Sequence, residues 1–206
     1  MRSATFIRLG IVLLTLLTIT TTRADWINLT GAETAPNIAE ITVFDDRVEV
    51  ALEIYVGDLK TFEGLIPDDW LKDLQVERLP LEERLASFSE RGLRFVTDTG
   101  ETLQARLRIA EPRLRKDRFS PFAGMVNPYT RLKVPDAPAD KRVLYVELVY
   151  PFGETRPGIL TIAPPLGDEG LPLATIGFIL YLKSVPVIDF RYLSVPSTLT
   201  LDPYPW

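Results

Sequence analysis

Short runs in which apolar and polar residues alternate, separated by proline and glycine, limit this chain more than any other feature. Val48, Val50, Leu52 and Ile54 alternate with Arg47, Glu49, Ala51 and Glu53. A side-chain period of two is that of an extended strand with one face against a core. Leu103, Ala105, Leu107 and Ile109 alternate in the same way with Gln104, Arg106 and Arg108. Asp45-Asp46 separates the first run from residues 38–44, and Asp98-Thr99-Gly100 separates the second from residues 93–97, so each pair predicts a hairpin. Further strands are predicted over residues 142–150, 158–163, 175–183, 185–193 and 198–201. Among them TIGFILYL (175–182) is nearly all apolar, the composition of a strand covered on both faces.

Helical signals are confined to the region between about residues 58 and 92. Asp58 suits the cap of a short helix reaching Ile66, and Pro67 the start of another carrying Trp70, Leu71 and Leu74. The clearest runs from Pro80 to Arg91, with Leu81, Leu85 and Phe88 on one face and Gly92 as the stop. Many short strands without strand–helix–strand alternation predict a mainly β fold: an antiparallel β-sandwich or open barrel with a short helical insertion near residues 58–92. No internal repeat or linker divides it.

Residues 1–24 have the layout of a secretory signal peptide. Arg2 and Arg8 give a positive start, residues 9–19 form an apolar stretch, and Thr22-Arg23-Ala24 places small residues for cleavage before Asp25. The apolar stretch would rise only about 16 Å as a helix, short of a hydrocarbon core of roughly 30 Å. A helix extended through the flanking threonines is the alternative, an uncleaved anchor. Residues 25–206 are then expected to form a single exported β-rich domain with an extended C-terminal tail, periplasmic or associated with the cell envelope. The chain carries a net charge of −5, and its leader holds three arginines and no acids, so the remainder is more acidic still. Such a balance argues against a general nucleic-acid binder.

The chain has neither cysteine nor histidine. Thiol nucleophiles, disulfides, the usual serine-triad base and the familiar zinc, copper and haem ligand sets are thereby removed. No glycine-rich phosphate loop, dinucleotide fingerprint or Gly-x-Ser-x-Gly turn is present. The expectation is a non-enzyme without a cofactor. Carboxylates remain, and Asp45, Asp46, Asp68, Asp69 and Asp73 are candidates for a hard cation, though their spacing matches no calcium loop. Turn and helix-start chemistry accounts for them more simply.

Three further features point to contact with other molecules. Arg106, Arg108, Arg113, Arg115, Lys116 and Arg118 form a local reversal of sign, suited to an anionic protein face or to peripheral contact with a membrane surface, or else to a solvated strand face. Residues 119–140 hold four prolines and little periodicity, and a loop of that length on a β scaffold is a frequent binding element. Phe119, Phe122, Met125 and Tyr129 are its candidate contact residues. The chain closes on Asp202-Pro203-Tyr204-Pro205-Trp206, where prolines hold an extended backbone and Tyr204 and Trp206 supply contact area.

The hairpin Asp45-Asp46-Arg47-Val48-Glu49-Val50 soon after a leader, and the later Tyr192-Leu193-Ser194-Val195-Pro196 to Leu201-Asp202, resemble the exported region that precedes the membrane segments of bacterial HupE/UreJ-type proteins. The likeness covers about a tenth of the chain. The histidine-bearing membrane part of that family is missing here, so no metal-transport site carries over. What the resemblance implies is an extracytoplasmic domain that works by contact with another envelope component. The leading expectation is therefore a non-catalytic envelope domain with a protein partner. A carbohydrate- or lipid-binding sandwich and a carboxylate-dependent hydrolase using a divalent cation are the alternatives.

Overall fold

A computed structural model describes residues 30–72, 78–127, 131 and 133–201. The expected leader, Asp73, Leu74, Pro128, Tyr129 and the tail 202–206 with Tyr204 and Trp206 lie outside them.

The alternating segments form the strands of two open sheets. The larger is built from β1 (Asn37–Val43), β2 (Arg47–Tyr55), β4 (Arg106–Leu114), β5 (Arg142–Pro151), β7 (Ile176–Leu182) and β8 (Val185–Tyr192), in the order β4-β5-β2-β1-β7-β8. The smaller is β3 (Arg94–Thr97), β6 (Ile159–Ala163) and β9 (Ser197–Thr200), in the order β3-β6-β9. Among the described residues, one helix, α1 (Leu81–Arg91), and 3-10 turns at Val56–Asp58, Glu63–Leu65 and Asp68–Trp70 form the helical insertion. The mainly β sandwich with a short helical insertion is thus what the alternation predicts. One pairing runs against the antiparallel rule: β1 and β7 are parallel, with Ile41 opposite Leu180.

The register explains why the alternation has the phase it has. Leu180, Ile41, Val50, Leu148 and Leu107 form one row across five strands, all pointing at the smaller sheet. Phe95 of β3 and Leu160 and Ile162 of β6 meet this face from the other side, and Leu85 and Phe88 of α1 close one end of the same core. A ring contact ties the sheets together, Phe95 against Tyr150 with centroids 4.5 Å apart and planes tilted by 55°. Tyr150 also donates its hydroxyl to the Leu93 carbonyl at 3.1 Å, so a buried polar group is satisfied across the sandwich. Burial pushes its phenol pKa well up.

Three expectations change in detail. The 103–109 alternation does not stay on one face, because a bulge at Arg108 shifts the register of β4 between Leu107 and Ile109. Ile109 consequently lies opposite Glu147 on the outer face, while Ala110 takes the inward position opposite Val146. The hairpin after β3 closes through Thr97 N–H to Glu101 O and Leu103 N–H to Phe95 O, both at 2.9 Å, but pairs only at the bridge between Val96 and Thr102 before the chain leaves for the other sheet. The helix expected from Asp58 is reduced to 3-10 turns at Val56–Asp58 and Glu63–Leu65; of the one expected from Pro67 the described residues show a 3-10 turn at Asp68–Trp70, and its Leu74 lies outside them. A segment this short and this often interrupted cannot repay helix nucleation.

Strand β7 is covered on both faces, as its composition requires. Phe178 and Leu180 enter the core, while the 3-10 turn Ala32–Thr34 lies on the outer side. Gly177 allows that approach: a Cβ there would stand 2.0 Å from the Ala32 carbonyl oxygen.

Candidate functional site

The candidate acidic residues are engaged in ion pairs at the surface. Asp45 meets Lys183 and Arg156, Asp46 meets Arg47, Asp69 meets Lys72, and Asp68 accepts from both Arg78 and Arg84. Among the described residues no group of three or more acidic side chains is arranged to hold a metal ion.

The basic run does something other than solvate a strand face. Arg106 stays exposed, Arg108 reaches Glu49 at 3.2 Å, and Arg113 pairs with Glu111 while its guanidinium lies 3.6 Å above the Tyr145 ring. Beyond β4 the chain turns across the outer face of the large sheet, and there Arg115 and Arg118 turn inward while Lys116 stays exposed. Arg115 is buried and donates to the Ala35 carbonyl at 2.9 Å; its Nη1 is buried without a hydrogen-bond partner. Lys116 pairs with Glu40 at 2.9 Å. Arg118 joins two strands, with Nη1 2.7 Å from Glu53 on β2 and Nη2 2.9 Å from Glu40 on β1. Its side chain is only 10% exposed and that of Glu53 only 7%. For Glu40, partial burial raises the carboxyl pKa, but the bonds from Lys116 and Arg118 outweigh it and leave the group below its ordinary 4.5.

This latch fixes the start of the long loop, and further groups fix other described parts of it. Ser120 and Asn127 are buried, as is Val134. Backbone bonds Gly124 N–H to Val134 O (3.0 Å) and Val134 N–H to Met125 O (2.8 Å) fold the loop on itself. Thr34 donates its hydroxyl to the Pro135 carbonyl at 2.8 Å, and Gly31, at φ 70°, leaves room for Val134 where a Cβ would stand 2.1 Å from it. The loop is therefore a tethered structure, not a free excursion.

What the tethered loop presents is apolar. Phe119 is 84% exposed, Met125 56% and the neighbouring Val126 60%. Phe122 is half-buried and contributes less. Of the contact residues expected from sequence, Phe119, Phe122 and Met125 are carried by one short segment of the loop; Tyr129, Tyr204 and Trp206 fall outside the described residues. Val126 and the anchors Gly31, Thr34, Glu40, Glu53, Ser120 and Asn127 were not foreseeable as a group. The only sequence signal for them was the glycine inside an otherwise apolar strand, Gly177, which marks a close backbone approach.

Beside the latch the outer face keeps an open groove of about 330 Å³. Glu40, Ala51 and Glu147 lie side by side across β1, β2 and β5, with Tyr181 and Arg108 at its margins. Glu147 accepts from the Tyr145 hydroxyl at 2.8 Å, and burial, with this bond adding to it, pushes that phenol up to about 12. Nucleophile, base and oxyanion donors are not brought together in this groove. No helix among the described residues is long and apolar enough to cross a membrane. Comparison with models of protein families, with curated proteins and with solved structures finds no match to this chain.

Proposed function

We propose that the chain is a non-catalytic domain of the cell envelope that works outside the cytoplasm by holding a protein partner on the loop 119–126. The observation that carries this reading is the contrast within that loop. Its anchors are buried and bonded, while Phe119, Met125 and Val126 stand in solvent. Exposed apolar side chains on a rigid mount lose little conformational entropy when a partner covers them, which favours association. The absence of histidine and cysteine supports a role without catalysis. The leader-like residues 1–24 and the likeness to exported regions of HupE/UreJ-type proteins support the location.

The test is cross-linking in the native host followed by pull-down, using the wild type, Phe119→Ser/Met125→Ser and a form lacking residues 202–206. A discrete partner retained by the wild type and lost by the loop variant is the expected result. Equal recovery by the loop variant, or no partner with any form, would remove the reading. Loss on removal of 202–206 alone would move the contact to Tyr204 and Trp206.

A further inference from the structure

A second surface, on elements separate from the loop, has the shape and chemistry of a ligand site. It is a cleft of about 900 Å³, within the roughly 300–1,000 Å³ typical of small-molecule pockets. One wall is α1, where Arg84, Ser87, Phe88 and Arg91 recur at helical spacing. The opposite wall is the tight hairpin after β6, closed by Gly167 N–H to Leu171 O at 2.8 Å and Leu173 N–H to Pro165 O at 2.9 Å. The floor is the set of 3-10 turns around Lys60 to Ile66.

Two independent features single this cleft out. The first is charge: Lys60, Arg78, Arg84 and Arg91 line it against Glu63 and Asp168, in a chain whose overall balance is negative. Arg78 and Arg84 share one carboxylate, Asp68, at 2.9 and 2.7 Å, and spend their other donors on the carbonyls of Glu63, Gly64, Ile66 and Leu79. Burial and the adjacent Arg78 pull Arg84 below the ordinary arginine value, as expected where cations outnumber their counter-charges. Lys60 and Arg91 have no carboxylate partner among the described residues. The second feature is apolar surface left in water at the mouth: of the lining leucines, Leu79 is 61% exposed and Leu173 55%. Folding alone gains nothing from placing two leucines there.

We propose that this cleft binds a single-chain amphiphile with an anionic headgroup, its chain along Leu79, Phe88 and Leu173 and its headgroup beside Lys60 and Arg91. An anion there supplies the negative charge that Asp68 alone does not, and the chain removes the leucines from water. The remaining donors suit either a carboxylate or a phosphate head, since both accept charge-assisted hydrogen bonds.

The test is methyl NMR on the purified full chain, titrated below their micelle concentrations with dodecanoate, dodecyl phosphate, uncharged dodecyl maltoside and inorganic phosphate. Saturable shifts of the Leu79, Leu166 and Leu173 methyls are expected with one or both anionic amphiphiles. Inorganic phosphate should give none. The exposed pair Lys60→Glu/Arg91→Glu should keep the native spectrum elsewhere and weaken binding at least about tenfold. The proposal is overturned if dodecyl maltoside binds as tightly as the anions, if the shifts fall outside the cleft, or if the double variant retains full affinity.

Discussion

Replacing Arg118 by methionine should cost far more than replacing its neighbour Arg115 in the same way, although both arginines lie largely out of solvent on the same segment. Arg118 neutralises Glu53, whose side chain is 7% exposed and whose other bond is the Lys116 amide at 3.3 Å. With the guanidinium gone, a nearly buried carboxylate loses its counter-charge, a situation worth about 3–5 kcal/mol. Glu40 still holds Lys116, so the lower half of that range, about 3 kcal/mol, is expected. For a chain of this size that corresponds to a fall in Tm of roughly 6–12 °C. Arg115 makes one bond, to the Ala35 carbonyl, and buries an unsatisfied Nη1. Arg115→Met removes that orphan as well as the bond, so the loss should stay within about 1 kcal/mol. The double variant Glu53→Leu/Arg118→Met, which removes charge and counter-charge together, should recover most of the single variant's deficit. Urea unfolding at pH 7, followed by circular dichroism and tryptophan fluorescence, measures all four proteins. Equal costs for Arg115→Met and Arg118→Met, or a double variant as unstable as Arg118→Met, would show that the latch is not an ion pair isolated from water.

Three other expectations follow from the same geometry. Tyr150→Phe keeps the ring contact with Phe95 but strands the Leu93 carbonyl between the sheets, and should lower unfolding free energy by about 1–3 kcal/mol with an unchanged denaturant slope. Gly177→Val should prevent the 32–34 turn from seating on β7, costing at least about 2 kcal/mol, because the new Cβ would fall 2.0 Å from the Ala32 oxygen; hydrogen exchange should show the loss first at residues 30–35. Glu40 has a folded pKa below its ordinary 4.5, so its contribution is complete above that pH and disappears as pH falls through the folded value. Glu40→Gln should therefore be less stable than wild type at neutral pH, with the two Tm values converging as the buffer is taken to about pH 3.

The sandwich was legible because strand period and turn chemistry agree. The phase of Val48 to Ile54 alone determines which face of β2 meets the core, and the register with β1 and β5 follows it. What the pattern cannot carry is which strands become neighbours over long separations. Residues 175–182 announce a central, doubly covered strand, yet nothing local says that its partner is β1 or that the pair is parallel. The bulge at Arg108 is silent for a related reason, since it inserts a residue without changing the composition of the run. The candidate site was legible in one respect, the apolar side chains of a long irregular segment. Its mounting was not. Glu49 and Glu53 look alike in sequence, both at outward positions of β2, and only the path of the chain after β4 makes one a surface group and the other the buried end of a latch.

The parallel pairing of β1 with β7 also bears on how the chain reaches this state. β1 lies inside the large sheet, but the strand that covers one of its two sides is supplied from far along the chain. Until residues 176–182 dock, the hairpin of β1 and β2 presents a row of unpaired amides and carbonyls beside Ala39, Ile41 and Val43. Closing that gap is a non-local step whose loop entropy must be met before the contact rewards it, so it slows folding. A fragment that ends before Ile176 keeps the row open permanently, and open apolar edges recruit other strands. Truncation upstream of β7 therefore converts the sandwich into a template for aggregation, whereas removing β9 takes away only an edge strand of the smaller sheet.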